Sequence, residues 1–383
     1  PVLGFCGAFA GPGRVLRGSA GALHLREADE VLLASLAKPR QAIVFPLADG
    51  GEGTAEILTF HNEGQTIELK VNDPLLRPVT ATYGLSADGL TAYIDMAQAS
   101  GLQLLKNDER NPLQTSTYGT GELILDAVRR GARRLLLGIG GSATNDAGMG
   151  MATALGYRFL DEAGRELAPT GQSLGLVQRI DDEQLKIDPA RLEVTVLCDV
   201  DNPLFGPRGA AYVYAPQKGA DKRTIERLDS GLRRFADVLQ EHFQHQIAAE
   251  PGAGAAGGLG GGARAFLGAK LRPGIQTVIE NTSFEKALES ADLLLTGEGR
   301  LDGQTLHGKL IHGICQCAAP YRIPVIALCG ALEATPEELE KIGLYAAFSI
   351  LHRPMPLEEA LPETAALLEQ TAFNVLRTFL AGE

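Results

Sequence analysis

Short apolar or β-branched runs alternate along the chain with longer segments whose apolar residues recur every three to four positions. Residues 42–47 read as a strand that ends in Ala48-Asp49-Gly50-Gly51-Glu52-Gly53-Thr54, and a helix continues from there to about His61. Residues 66–71, 79–85 and 92–96 alternate or are β-branched, with turn signals at Asp73-Pro74 and Asp88-Gly89, which predicts an antiparallel meander. Residues 117–130 place Leu123, Ile124, Ala127 and Val128 on one side and stop at Gly131, the pattern of an amphipathic helix. Buried strands are predicted at 135–139, 194–197, 293–295, 325–328 and 346–350. A helix through Leu155 comes after the first of them, and a helical pattern at 310–319 precedes 325–328.

Strand and helix in alternation predict parallel sheet and an α/β fold. The meander does not fit one doubly wound sheet. The expected architecture is therefore two-domain. Residues 1–64 and 284–383 form a Rossmann/flavodoxin-like parallel-sheet domain, and 65–283 form an inserted α/β domain that holds the meander, with a cleft between them. Residues 251–262, seven glycines in twelve positions, read as a loop or hinge near the second junction.

Composition narrows the function. The chain has 383 residues, 45% of them apolar, enough for two cores. It holds 46 glycines, clustered between apolar segments where backbone must approach a ligand closely. A net charge of −12 argues against nucleic-acid binding but leaves room for a local anion site. Five cysteines, an odd number mostly in apolar runs, suggest a reduced cytoplasmic protein without a disulfide framework. No apolar run reaches the ~20 residues of a membrane span, and no signal peptide is read at the start. Cys315-x-Cys317 and His242-x-x-His245 lack partners at metal-ligand spacing.

Ligands of open α/β sheets bind outside the carboxyl ends of the strands, so the residues just beyond each strand carry the chemistry. Four strand ends combine glycine with carboxylates or amides: 49–53, 140–146, 199–202 and 296–302. In the second, Gly140-Gly141-Ser142-Ala143-Thr144-Asn145-Asp146 would aim backbone N–H groups at an anion, with hydroxyls from Ser142 and Thr144. The same residues serve equally as a tight turn with Thr144 or Asn145 capping a helix. Asp146 would repel a bare phosphate and so favours a nearby Mg²⁺. In the last, Glu298 and Asp302 suit Mg²⁺ or a hydroxyl, and Arg300 and Lys309 suit a carboxylate or a transferring phosphoryl group. His307 suits acid–base work. Gly303-x-x-x-x-Gly308-Lys309 approaches a P-loop, but Leu310 stands where that motif needs Ser or Thr. Asp199 reads as a base, a Mg²⁺ ligand or the cap of a turn before Pro203. Asp49, Gly50, Gly51 and Glu52 are further substrate or phosphate contacts, although Glu52 also suits the first turn of a helix. Lys218 reads either as a surface lysine or as a phosphate contact. There is no Gly-x-Ser-x-Gly elbow, and no dinucleotide turn after a strand with a ribose-binding acid. Phosphoryl transfer is the reaction class that uses this set together.

From Ala48 onward the chain resembles the bacterial glycerate kinase family of type 1. The matching segments are ADGGEGT at 48–54, GTGELIL at 119–125, GIGGSATND at 138–146, CDVDNPL at 198–204, PQKGA at 216–220, PGAGAAGG at 251–258, TGEGRLD at 296–302 and HGK at 307–309. The resemblance implies ATP, Mg²⁺ and D-glycerate, with 2-phosphoglycerate as product in most members and the 3-isomer by some assignments. The partners implied are small molecules, with a homodimer left open. On the strand-end argument Arg300 is expected to bind the glycerate carboxylate or the moving phosphoryl, and Asp199 to be the base or, with Asp302, a Mg²⁺ ligand. A kinase of another small hydroxy acid, or a nucleotide or sugar-acid sensor without turnover, are the alternatives.

Three departures stand out. Ala147 replaces a usual Gly, and Leu310-Ile311 replaces a common Val-Pro. Residues 1–40 lack the APDSFK-like motif with which the family opens. Either that region has diverged, with Arg14 or Arg17 standing in for the motif's Lys, or the sequence carries a reading-frame error there.

Overall fold

The computed structural model of the chain describes residues 2–6, 41–302 and 310–381. They divide into two compact units, one from Pro1–Asp49 with Val278–Glu383 and one from Gly50–Thr277. In chain order, β1 (Val2–Cys6) and β2 (Gln41–Val44) precede the first crossing between units. The second unit holds β3 (Gln65–Asn72), β4 (Pro78–Leu85), β5 (Thr91–Asp95), β6 (Arg134–Gly138), β7 (Arg158–Leu160), β8 (Arg179–Asp181), β9 (Glu193–Leu197) and β10 (Lys270–Arg272). The chain then returns to supply β11 (Ala291–Leu301), β12 (Val325–Leu332) and β13 (Ala346–Ser349).

The first unit is a parallel sheet in the order β13-β12-β11-β1-β2. Counted within the unit, this is the 2-1-3-4-5 order of flavodoxin-like folds, with the switch point between β1 and β11. Residues 293–297 of β11 are buried on both faces, as a central parallel strand requires. Leu293 and Leu295 pack with Ile326 and Leu328 against Leu367, Leu368, Val375 and Leu376 of the helix Leu357–Ala381. The helix Leu310–Ala318 buries Ile311, Ile314 and Cys315.

The second unit has a six-stranded sheet in the order β10-β9-β6-β5-β4-β3. β10, β9, β6 and β5 are parallel, and β5-β4-β3 is the antiparallel meander read from the alternation of its residues. Its core includes Tyr83, Ile94, Leu123, Leu135 and Leu137. A run of ring contacts joins Phe159, Phe235, Phe243 and Phe266. Each such buried side chain contributes about 1.5–3 kcal/mol.

Several expectations are corrected. The glycine-rich stretch 251–262 is irregular only in its first part. Ala256, Gly257 and Gly258 all have positive φ, and residues 259–267 are helical. Packing drives that helix: Leu259, Ala263 and Phe266 are buried. The helix expected directly after Ser142 starts only at Met149. β11 does not stop at residue 295. It continues to Leu301, because its distal half pairs with an equally extended β12, with Glu298 opposite Cys329 and Arg300 opposite Ala331. β1, which pairs with β11 as far as Thr296, was not predicted from its short run VLGFC.

Candidate active site

Three parallel strands of the second unit, β5, β6 and β9, end on one edge, and the loops after β6 and β9 carry part of the predicted site. β5 ends at Asp95, whose neighbour Met96 donates its N–H to the Gly138 carbonyl at the end of β6, 2.9 Å. Asp95 is buried. Its Oδ2 accepts from Gly53 N at 2.9 Å and its two oxygens share Ala55 N at 3.2 Å, so it caps the helix Thr54–His61 from a distant strand. Burial raises this carboxyl to about 7, against the lowering effect of the two amides, with Glu52 and Glu56 adding repulsion. Sequence reasoning did not single out Asp95, although an acid near the end of the strand 92–96 is the same kind of signal as at the other strand ends.

The loop after β6 lies against the loop 50–53. A Cβ on Gly140 would come 3.0 Å from Gly51 Cα, and one on Gly141 would come 2.5 Å from Glu52 Oε1. The structure therefore brings Gly51, Glu52, Gly140 and Gly141 together. Asp49 ends the N-terminal segment of the first unit, one residue before Gly50 opens the second.

Beyond Gly141 the loop turns inward, onto Lys218. This residue sits in a one-turn helix, Pro216–Lys218, and is 2% exposed, which overturns the surface reading. Its Nζ donates to the Thr144 carbonyl at 2.6 Å and to Ser142 Oγ at 3.2 Å. Ser142 Oγ also lies 3.1 Å from Thr144 Oγ1 and accepts from Thr144 N at 3.2 Å. Loss of hydration lowers the lysine to about 7, and the nearby negative charge of Asp146 limits the fall. Lys218 thus holds the shape of the loop from behind. Asn145 is fully buried, and neither atom of its amide has a hydrogen-bond partner among the described residues.

Asp146 is not poised for a metal. Its Oδ2 accepts from Thr117 N (2.7 Å), Thr117 Oγ1 (2.8 Å) and Gly150 N (3.0 Å), and its Oδ1 from Gly148 N (3.3 Å). It performs the helix-start role expected of Thr144 or Asn145. Burial still raises its carboxyl above the usual range despite those donors. The other wall of the loop is 256–258. Ala147 N donates to the Gly257 carbonyl at 3.1 Å, and Ser142 Oγ reaches the Ala256 carbonyl at 3.3 Å.

Asp199 lies just beyond β9 and is exposed. Its Oδ1 accepts from Gly274 N at 2.9 Å, at the start of the helix Gly274–Glu280, so it caps this helix rather than a turn before Pro203. Asn202 makes that turn, donating to the Arg208 carbonyl and accepting from the Tyr214 hydroxyl.

In the first unit, Glu298 and Arg300 lie on the extended half of β11, and Asp302 comes directly after it. Arg300 is exposed, with Nε 3.1 Å from Asp302 Oδ2 and Nη2 2.6 Å from Glu333 Oε2. His307, Lys309 and the P-loop-like segment 303–309 fall outside the described residues, as do Arg14 and Arg17. Among the described residues no three His, Cys, Asp or Glu side chains converge as metal ligands. With Asp199 bonded to an amide and Asp302 to a guanidinium, this donor set does not fit a protein-only Mg²⁺ cage. Among the described residues no helix is long and apolar enough to cross a membrane.

Comparison with known proteins matches this arrangement to one group. The sequence profile of the "Glycerate kinase family" matches residues 15–380. A glycerate kinase of Halalkalibacterium halodurans is 48% identical over 334 residues, 87% of each chain. A glycerate 2-kinase of Escherichia coli is 40% identical over 342 residues, 89% of this chain and 90% of the other. A crystal structure from Salmonella typhimurium, provisionally designated glycerate kinase 2, superposes with a TM-score of 0.86 at 39% identity, covering 100% of this chain and 98% of that one. The chain is a kinase, and it belongs to the glycerate kinase family.

Proposed function

We propose that this protein transfers the γ-phosphoryl group of ATP to the 2-hydroxyl of D-glycerate, giving 2-phosphoglycerate. The observation that carries this reading is the near-full-length kinship with a protein designated glycerate 2-kinase. The chemistry of the strand ends supports it. Gly140 and Gly141 offer backbone amides to an anion, while the buried Ser142 and Thr144 are tied to Lys218, which holds the loop in shape from behind. Gly50 and Gly51 bring backbone close to the same loop. Arg300 is the cation for the glycerate carboxylate or the moving phosphoryl group, exchanging its present partners Asp302 and Glu333 for the substrate. Glu298 and Lys309 complete the proposed set. Mg²⁺ enters on the phosphates of ATP, the usual habit of an ion that takes one or two carboxylates and keeps its other ligands from substrate and water. Asp199 and Asp302 are the carboxylates proposed for this role. The four described cysteines are free thiols, which suits a reducing cytoplasm.

The test is ADP release coupled to a reporter enzyme, with D-glycerate as acceptor, and then phosphorus NMR of the product. Turnover with a resonance coupled to the C2 proton is expected. A product coupled to the C3 protons would overturn the position. ADP release with another hydroxy acid but none with D-glycerate would overturn the substrate.

A further inference from the structure

We propose that Glu52 is the general base that removes the proton from the substrate hydroxyl. The inference rests on the phosphoryl-transfer reading above and adds a catalytic group to it.

The acids at and near the strand ends differ in how their oxygens are engaged. Asp199 is bonded to the Gly274 amide. Asp146 is buried under four donors. Asp95 is buried and shared between two amides. Asp302 lies against Arg300. Glu52 makes no hydrogen bond or ion pair among the described residues, and it is exposed to solvent. Its Oε1 faces Gly141, so closely that a Cβ there would approach to 2.5 Å. Gly141 has φ +71° and is itself exposed, and around the neighbouring Gly53 a Cβ would meet nothing within 4 Å. A carboxylate thus stands beside the open end of the anion-type loop, with glycines leaving the space around it clear.

Its surroundings also suit a proton acceptor. Packing on one side of the carboxylate costs hydration and raises the group above the ordinary glutamate range. Asp95 and Glu56, the other acids near this helix start, add negative charge in the same neighbourhood. A base held nearer to neutrality takes a hydroxyl proton more readily than an ordinary carboxylate.

The step balances. The hydroxyl oxygen forms a bond to the γ-phosphorus as its proton passes to a Glu52 carboxylate oxygen. The bond from that phosphorus to the β,γ-bridging oxygen breaks, and ADP leaves with the electron pair. Glu52 then releases the proton to solvent.

The experiment uses the full chain and whichever hydroxy acid the wild type phosphorylates. Glu52→Gln is expected to lower kcat by about 10²–10⁴-fold. The dissociation constants for ATP and acid should stay near wild type, and the acid limb of the kcat–pH profile should vanish. Glu52→Asp should keep that limb at reduced kcat. Gly141→Ala should lower kcat by displacing the carboxylate. Wild-type kcat in Glu52→Gln, or an acid limb that survives in it, would overturn the proposal while leaving the kinase reading standing. Absence of ATP turnover by the wild type with any acid would overturn both.

Discussion

The Lys218 ammonium lies 2.6 Å from the carbonyl oxygen of Thr144, and this one contact joins a buried charge to the backbone of the loop after β6. Methionine at 218 fills a similar volume but leaves the Thr144 carbonyl and Ser142 hydroxyl without their donor. An unpaired buried acceptor costs about 1–3 kcal/mol, a five- to 150-fold drop in the population of the working loop. Lys218→Met is therefore expected to reduce kcat/KM by at least about fivefold. Stability supplies a second readout. The folded lysine titrates at about 7 and the unfolded one near 10.4, so the unfolded chain binds more protons between those values. Stability contributed by this group therefore rises with pH from about 7 to about 10.4, and falls as pH drops through that window. Urea midpoints at pH 7 and pH 9.5 should show that rise in the wild type and lose it in Lys218→Met. Parallel midpoints for the two proteins would mean the lysine is not carrying the linkage.

Asp95 has the opposite sign. Its folded carboxyl sits at about 7, above the ~3.9 of an unfolded aspartate, so the folded state binds the proton more tightly. Its contribution is fully present below about pH 4 and is lost as pH rises to about 7. Asp95→Asn keeps an oxygen that can accept from Gly53 and Ala55 but has no proton to lose. The variant should gain on the wild type in denaturant midpoint between pH 4.5 and pH 7. A constant difference across that range would rule out ionisation of Asp95 as the cause.

The sequence revealed more of the fold than of the site. Alternating or β-branched residues at β3, β4 and β5, with turn signals between them, announced the meander, although β5 itself is buried throughout. The continuous apolar runs at β6, β9 and β12 marked parallel strands, because strands covered on both faces read as near-continuous apolar runs. The length of β11 was hidden because Gly297, Glu298, Gly299 and Arg300 read as a loop, yet pairing with β12 holds them extended. That is tertiary context overriding local preference. At the site, residue types were legible and partners were not. Lys218 looks like any lysine beside a glycine. Its burial depends on Ser142 and Thr144, some 75 positions earlier in the chain. Asp146 likewise read as a charge facing ligand, when Thr117 and two downstream amides absorb it.

Gly257 marks where the wall of that loop is least tolerant. Its φ is +71°, and a Cβ would stand 1.9 Å from the Thr144 carbonyl oxygen. That is the same oxygen Lys218 holds. Backbone conformation alone costs a non-glycine residue about 1–3 kcal/mol here, before the clash is relieved. Gly257→Ala should lower the unfolding free energy by at least that much in urea titrations and depress kcat/KM by moving Thr144. Gly53→Ala is the control: φ is also positive, but a Cβ there has nothing within 4 Å, so only the conformational cost remains. Equal losses in both variants would show that contact with Thr144 is not what makes residue 257 a glycine.

Arg300 separates catalysis from stability most cleanly. Its ion pairs with Asp302 and Glu333 are formed by a side chain that is 60% exposed. Exposed pairs are screened by water and contribute little to folding. Its strand is held elsewhere, by Leu293, Leu295 and the pairing of β11 with β12. Arg300→Ala should therefore leave the melting temperature essentially unchanged. Its cost should appear in turnover, because in the proposed role the guanidinium stabilises charge in the transition state. Loss of such a donor lowers kcat by about a hundredfold or more. Arg300→Lys keeps the charge but not the planar fork, and should recover only part of the loss. Steady-state kinetics of both variants, with thermal melts on the same preparations, make the comparison. Near-wild-type kcat/KM in Arg300→Ala would remove the end of β11 from the site. A large fall in melting temperature would instead make Arg300 a structural residue of that strand.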